Sequence, residues 1–198
     1  MAHVQEIPEN GADINHLSHL HGPNIFKGSD LTDAFANSLV MDVAKHAWKG
    51  DWKIEDEEHM ASLQLTHGFS MFGGKFEIFS MTVKALQIGP GIVHLYFNTP
   101  IGSGVLIHTV TPIEPMMQKV IHTFYTSWSF IAPYAKLVLH YEAEHFERDI
   151  MIWNSKQYMA RPLLLKQDHR IKEFHRWYQQ FYSENSPRFT FQKDNLDW

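Results

Sequence analysis

Met60-Ala61-Ser62-Leu63-Gln64-Leu65-Thr66-His67-Gly68-Phe69 alternates apolar and polar side chains along its length. An alternation of period two puts the apolar groups on one face of a strand, where a core can cover them. The pattern returns downstream. Phe76, Ile78 and residues 82–86 follow a Gly73-Gly74 turn, residues 92–97 follow Gly89-Pro90-Gly91, and residues 105–110 follow Thr99-Pro100-Ile101-Gly102. Residues 120–128 read as the last strand. Short Gly/Pro turns at this interval predict an antiparallel meander over residues 59–127.

Helical signals flank the meander. Before it, Ile14, Leu17 and Leu20 recur at three-residue spacing behind Asp13, and Gly22-Pro23 stops the pattern, which predicts a helix over residues 10–20. Residues 24–58 read as polar and irregular, with a short helix at 33–45 and a Trp48/Trp52 pair, covering one end of the domain. After the meander a long helix is predicted over 130–153, entered through Ala132-Pro133, and a second over 168–182, opened by Asp168 as N-cap. Arg161-Pro162-Leu163-Leu164-Leu165 between them reads as an extended connector. The order predicts an α+β domain whose curved sheet wraps around the last helices. No repeat, low-complexity tract or linker divides the chain, so residues 1–198 are expected to form a single domain.

Composition narrows the function classes. The chain has 198 residues, 44% hydrophobic and 14% aromatic, enough for a core and too many for wholesale disorder. Seventeen Lys and Arg against 22 Asp and Glu give a formal charge of -5, which argues against nucleic acid as a partner. The absence of cysteine excludes disulfides, thiol nucleophiles and cysteine-ligated clusters held by this chain. No run reaches the ~18 apolar residues of a membrane span. The opening MAHVQEIPENGAD has neither a basic nor an apolar leader region, so a soluble intracellular chain is expected. His3-Val4-Gln5-Glu6-Ile7-Pro8 reads like the end of a strand already under way, as if the chain began inside a larger protein.

Fourteen histidines are the unusual count. His169 and His175 lie in a polar segment and are expected in solvent; His46, His59 and His67 flank apolar runs and read as structural. The informative group lies at the start. On a helix, Asp13 and His16 share one face. His21 is about 140° further round, yet the Gly22-Pro23 break would let its ring swing back. Two imidazoles could then converge on one ion with Asp13 beside them; alternatively, a short polar helix merely happens to carry histidines. A facial two-histidine site also needs a carboxylate. Glu142, Glu144, Glu147 and Asp149 are candidates on the long helix, where Val138, Glu142, His145, Asp149 and Ile152 fall on one stripe of about 80°. A carboxylate on such a stripe is buried and needs a partner, which a metal would supply. The alternative is an ordinary surface pair of Asp149 with Arg148 or His145.

His3-Val4-Gln5-Glu6-Ile7-Pro8-Glu9-Asn10-Gly11-Ala12-Asp13, with His16 and His21, resembles the catalytic domain of Rieske non-haem iron oxygenases. Within that family it looks like the sterol-acting branch, which holds Neverland-type cholesterol 7-desaturases and the related 3-ketosteroid 9α-hydroxylases. Phe146-Glu147-Arg148-Asp149-Ile150-Met151-Ile152-Trp153-Asn154-Ser155-Lys156 resembles the family segment that supplies the iron carboxylate. The resemblance covers nearly the whole chain.

That resemblance implies His16, His21 and Asp149 as ligands of a mononuclear Fe(II). It implies Asp13 as the bridge carrying electrons from a cluster in a neighbouring subunit, and Asn10 as a polar residue near the iron; His19 matches no ligand. It further implies a helix-grip fold of the START-like or Bet v1-like kind, a curved antiparallel sheet around a long C-terminal helix. The aromatic and Met-rich positions Phe69, Met71, Phe72, Phe76, Phe79, Met81, Met116 and Met117 would suit a pocket for a rigid apolar ligand. The implied reaction is O2-dependent sterol oxidation, first of all desaturation of cholesterol to 7-dehydrocholesterol, with NAD(P)H, a reductase or ferredoxin, and a homotrimer. Steroid hydroxylation, or a non-catalytic sterol-binding or modulatory subunit, is the alternative. Family members carry a Rieske domain with a [2Fe–2S] cluster and are expected at an intracellular membrane. With no cysteine, this chain is expected to be the C-terminal part of a longer oxygenase, the cluster lying in the missing domain or a partner.

Overall fold

A computed structural model of the chain describes residues 1–21, 44–71, 76–99, 102–159, 163 and 165–186. The strands are β1 (Ala44–Ile54), β2 (Met60–Met71), β3 (Phe76–Ile88), β4 (Ile92–Thr99), β5 (Gly102–Glu114) and β6 (Met117–Thr126). They form one antiparallel sheet in the order β1-β2-β3-β4-β5-β6, each strand paired with its neighbour in sequence. The architecture is α+β, with the predicted meander at its centre. At the β3–β4 turn Gly89 takes a φ of 65°, a left-handed conformation that favours a residue without a Cβ.

One face of the sheet is continuous across the register. Trp52 lies opposite Leu63, Leu63 opposite Ala85, Ala85 opposite Leu95, and Leu95 opposite Leu106. Such cross-strand rows are the unit that stabilises a sheet, and Trp52 and Leu106, at the two ends of this one, are almost fully buried.

The described residues before β1 include one helical turn, α1 (Glu6–Glu9), and the short helix α2 (Ile14–Leu20). The strand reading of His3 to Pro8 is therefore corrected to a turn and helix. Its charged side chain is tied down, since Glu6, 5% exposed, accepts hydrogen bonds from the His3 N–H and the Tyr158 hydroxyl at 2.7 and 2.6 Å and pairs with the Lys156 ammonium at 2.7 Å. Val4 and Ile7 are three residues apart, a helical and not a strand spacing, so no alternation opposes these bonds.

The irregular reading of residues 24–58 is also corrected over its second part, where β1 runs through Trp48 and Trp52. Both point to the apolar face, Trp52 is 1% exposed, and Trp48 stacks on His67 at 4.0 Å between ring centroids. Charged residues between the tryptophans hid a period-two pattern carried by only two large side chains. The helix expected at 33–45 lies outside the described residues apart from its last two, which belong to β1.

After β6 comes α3 (Ala132–Ser155), 24 residues with a proline in its first turn. A 3-10 turn then leads into α4 (His169–Tyr178) and a second 3-10 turn at Gln179–Phe181. Asp168 precedes α4, but its carboxylate accepts the Leu165 N–H at 2.7 Å and caps the 3-10 turn instead of the helix. Phe174, Trp177 and Tyr178 are buried and pack with Trp52 and Leu63 into the main core. His175 is not simply solvated, because its Nε2 lies 2.7 Å from a Glu9 carboxylate oxygen.

Candidate metal centre

Asp13 starts α2. Its carboxylate accepts the backbone N–H of His16 at 3.3 Å, an N-cap that satisfies one of the helix's free donors. Its backbone carbonyl takes the His16 ring Nδ1, which can only donate there, so Nε2 is the nitrogen left with a lone pair. Burial holds the His16 imidazole below its ordinary pKa, against the opposing pull of the Asp149 charge.

His21 caps the other end, its N–H donating to the Leu17 carbonyl at 3.1 Å. The fully buried Arg148 donates from Nη1 to the Leu20 carbonyl at 3.1 Å, pinning the last turn of α2 against α3. A guanidinium on the free carbonyls of a helix C-terminus satisfies them and favours the helix dipole. The next residue on α3 is Asp149, 8% exposed, whose Oδ1 lies 3.2 Å from His21 Nε2. Of the two surface pairings open for Asp149, the one with Arg148 gives way to the Leu20 contact.

The structure thus brings His16, His21 and Asp149 together, with one ligand atom of each lying within 4.8 Å of the others. The His16 and His21 rings meet edge to face at 5.1 Å. His21 Nε2 faces the Asp149 carboxylate while its Nδ1 is buried without a hydrogen-bond partner, and a buried, incompletely paired imidazole against a carboxylate is a donor set that a metal ion would satisfy. Two nitrogens and one oxygen, buried on one side and open on the other, fit a divalent iron.

The open side is a cavity of about 560 Å³, within the size range of ordinary ligand sites. The apolar sheet face supplies Trp48, Leu63 and Leu95, α3 supplies Tyr134 and Phe146, and His16, His21 and Asp149 sit in the same wall. Asn10 lines this cavity, whereas His19 is exposed on the outer side of α2. Met81 lines it as expected. Met117, 54% exposed, does not, and Met116 lies in the β5–β6 turn with its carbonyl taken by the Ala2 N–H. Phe72 and the side chains of Phe69, Met71, Phe76 and Phe79 lie outside the described residues. Ile152, 47% exposed, leaves the predicted stripe, and the buried face of α3 continues through Trp153. A second, shallower hollow of about 980 Å³, along outward strand positions such as Lys49, Thr66 and Lys84, holds none of these residues.

Sequence reasoning missed a second group. His108, His122 and Glu142 also bring one ligand atom each within 4.8 Å of one another. His108 and His122 are direct partners in the β5–β6 register, with ring centroids 4.3 Å apart. Counting outward from the β5–β6 turn would set His122 opposite Thr109; the register shift between Pro112 and Glu114 pairs it with His108 instead, which no count along the sequence reveals.

The sequence matches the profile of the 3-ketosteroid 9α-hydroxylase C-terminal domain over residues 1–182. With this match, the chain belongs to that family, the Rieske-oxygenase catalytic domains of the Neverland type. It is 46% identical over 200 residues to cholesterol 7-desaturase nvd of Xenopus laevis, covering all of this chain and 44% of that protein. It is 42% identical to cholesterol 7-desaturase of Caenorhabditis elegans, over 95% of this chain and 44% of that protein. A more distant relative is the oxygenase component of 3-ketosteroid-9-alpha-monooxygenase of Rhodococcus rhodochrous, 37% identical over 96% of this chain and 48% of that protein. The chain spans less than half the length of these curated relatives. Among the described residues no helix is long and apolar enough to cross a membrane.

Proposed function

We propose that this chain is the catalytic domain of an O2-dependent sterol oxidase of the Rieske type, with cholesterol 7-desaturation as its reaction. The observation that carries the reading is the convergence of His16, His21 and Asp149 on the wall of an apolar cavity. Iron held by these three side chains supplies the dioxygen and C–H chemistry. The chain's own residues do the rest. The sheet face and α3 exclude water and hold a rigid hydrocarbon in one orientation, which decides the C–H bond presented. The Asp13 carbonyl and Arg148 fix the two imidazoles, His16 by its ring hydrogen bond and His21 through the turn that precedes it.

Asp13 is also the proposed route for electrons from the [2Fe–2S] cluster of a neighbouring subunit, in a trimer fed by NAD(P)H through a reductase or ferredoxin. The N-cap leaves its second carboxylate oxygen available for that link. Asn10, on the cavity wall, is the proposed polar neighbour of the iron. The helix-grip arrangement, with residues 1–198 as one domain, is proposed from the way α3 and the sheet share one cavity. A second reading, steroid hydroxylation, draws support from the likeness to the Rhodococcus monooxygenase. The two differ in whether the substrate loses a second hydrogen or gains oxygen.

The test is metal stoichiometry. Protein prepared anaerobically with Fe(II) should hold one iron per chain. His16→Ala, His21→Ala and Asp149→Ala should each lower affinity more than about 100-fold, beyond the ~10–100-fold that even an outer partner of a ligand carries, while His19→Ala keeps it. Iron retained by Asp149→Ala and lost by His19→Ala would sink the ligand set. Product analysis with the cluster-bearing protein then separates alkene from alcohol.

A further inference from the structure

The second cluster calls for an occupant. His108 and Glu142 both line the cavity that holds the candidate metal centre, and His122 stands behind His108. His108 Nε2 and His122 Nδ1 are buried and make no hydrogen bond. The Glu142 carboxyl approaches His108 Nε2 only to 3.4 Å, without the alignment of a hydrogen bond. Buried polar atoms left unpaired are costly, so such atoms on a cavity wall point to a polar group that arrives with a ligand.

The charge state says what kind of group. Burial, reinforced by His122, pushes His108 down to about 3, and burial, reinforced by Asp149, pushes Glu142 up to about 7. Just below pH 7 the imidazoles are uncharged and the carboxyl keeps most of its proton, so there the cluster offers both donors and acceptors with no formal charge. That suits a neutral hydroxyl, which gives one hydrogen bond and accepts another. A cation would require the carboxylate, and an anion would require the imidazolium.

Position completes the argument. Glu142 precedes Asp149 by seven residues, two turns of α3, which sets the two clusters about 10 Å apart along the helix axis. In cholesterol the only polar atom is the hydroxyl oxygen on ring A, and C7 lies on the adjoining ring B. With that hydroxyl at the second cluster, ring B faces the metal-centre end of the cavity.

We infer that His108, His122 and Glu142 form the subsite that binds the ring-A hydroxyl of the sterol and so sets which carbon faces the metal centre. The inference rests on the sterol reading above and adds specificity residues to it; these position the substrate and take no part in the chemistry.

The test measures binding of cholesterol and of cholest-5-ene, which lacks only the hydroxyl, to the iron-loaded chain by quenching of tryptophan fluorescence. Trp48 and Trp52 line the cavity and supply the signal. The expected result is a preference for cholesterol of about tenfold or more, since the hydrocarbon leaves buried groups unpaired. His108→Phe and Glu142→Leu should reduce that preference to below about threefold while cholest-5-ene binds as well as before or better, a gain that a misfolded variant cannot give. Equal binding of the two sterols by the unaltered chain overturns the inference and leaves the sterol reading standing. Failure of either sterol to bind overturns both. A second tightly held iron per chain, lost in Glu142→Gln, would make the cluster a metal site and overturn the inference alone.

Discussion

The two clusters contain the same side chains, two histidines and one carboxylate, but the fold treats them differently. At the candidate metal centre the carboxylate faces an imidazole at 3.2 Å, and the two proposed imidazole ligands sit at the ends of α2, held by a backbone carbonyl and a guanidinium. In the sheet cluster the histidines face each other across two strands, and burial drives both His108 and Glu142 towards their neutral forms. Ligand inventory alone does not define a site. The surrounding charges and hydrogen bonds decide whether it suits an ion or a hydroxyl.

Arg148 offers the strongest way to break this contrast. Arg148→Met keeps much of the packing but strips the Leu20 carbonyl of its buried donor. The expected cost is about 1.5–3 kcal/mol in urea unfolding, with Fe(II) affinity falling about tenfold because His21 loses the fixed turn before it. Cholest-5-ene binding should hardly change. If iron affinity is untouched while stability falls, the guanidinium supports the fold and not the ligand geometry.

Proton linkage sharpens it next. An unfolded chain ionises Glu142 near 4.5, whereas the folded chain keeps the proton to about 7, so this group lowers stability as pH rises through that window. His108 does the opposite. Unfolded, it is protonated below about 6.5, and folded it stays neutral down to about 3, so stability rises with pH between those values. In the unaltered chain the two slopes cancel between about pH 4.5 and 6.5. Relative to it, Glu142→Gln should gain stability with rising pH by up to about 1.4 kcal/mol per unit, and His108→Phe should lose it by a similar amount. Urea melts at three pH values across the window measure both. Parallel curves for all three proteins would show that folding leaves the titration of both groups unchanged.

Asp13 gives the smallest stability effect. Asp13→Ala removes the N-cap of α2 and should cost about 1 kcal/mol, whereas Asp13→Asn keeps an oxygen acceptor and should cost far less. Both should retain iron, because the ring of His16 is held by the backbone carbonyl, which neither change removes. In the cluster-bearing protein Asp13→Asn should still abolish NAD(P)H-driven turnover while largely sparing a peroxide-driven reaction. Equal loss of both would end the electron-bridge role.

Much of the fold was legible because the meander advertises itself. Period-two alternation and Gly/Pro turns gave five strands, and the 24-residue α3 carried its proline start. β1 was missed because only Trp48 and Trp52 mark its inner face amid Lys49, Asp51 and Lys53. The His3–Pro8 segment misled because two apolar residues looked like a strand while Glu6 was engaged with Lys156 and Tyr158, some 150 residues away. At the metal centre the candidate residues were readable from local spacing and resemblance. The roles of Arg148 and the Asp13 carbonyl were not, since both depend on how α2 lies against the rest. The sheet cluster needed the strand register, which no local pattern displays.

The bond from Arg148 to Leu20 joins points 128 residues apart in the chain. The whole sheet lies between them in sequence. Neighbouring strands pair through short turns and can zip up one after another, but the bond that locks α2 to α3 closes a far longer loop, at a higher entropic cost than any of those strand pairings. The proposed ligand set is therefore expected to assemble after the sheet and to come apart before it. Iron, binding only the closed state, should stabilise that late step in proportion to its own affinity. Loss of the metal would then begin as a local opening of the first twenty-one residues, with the sheet still intact.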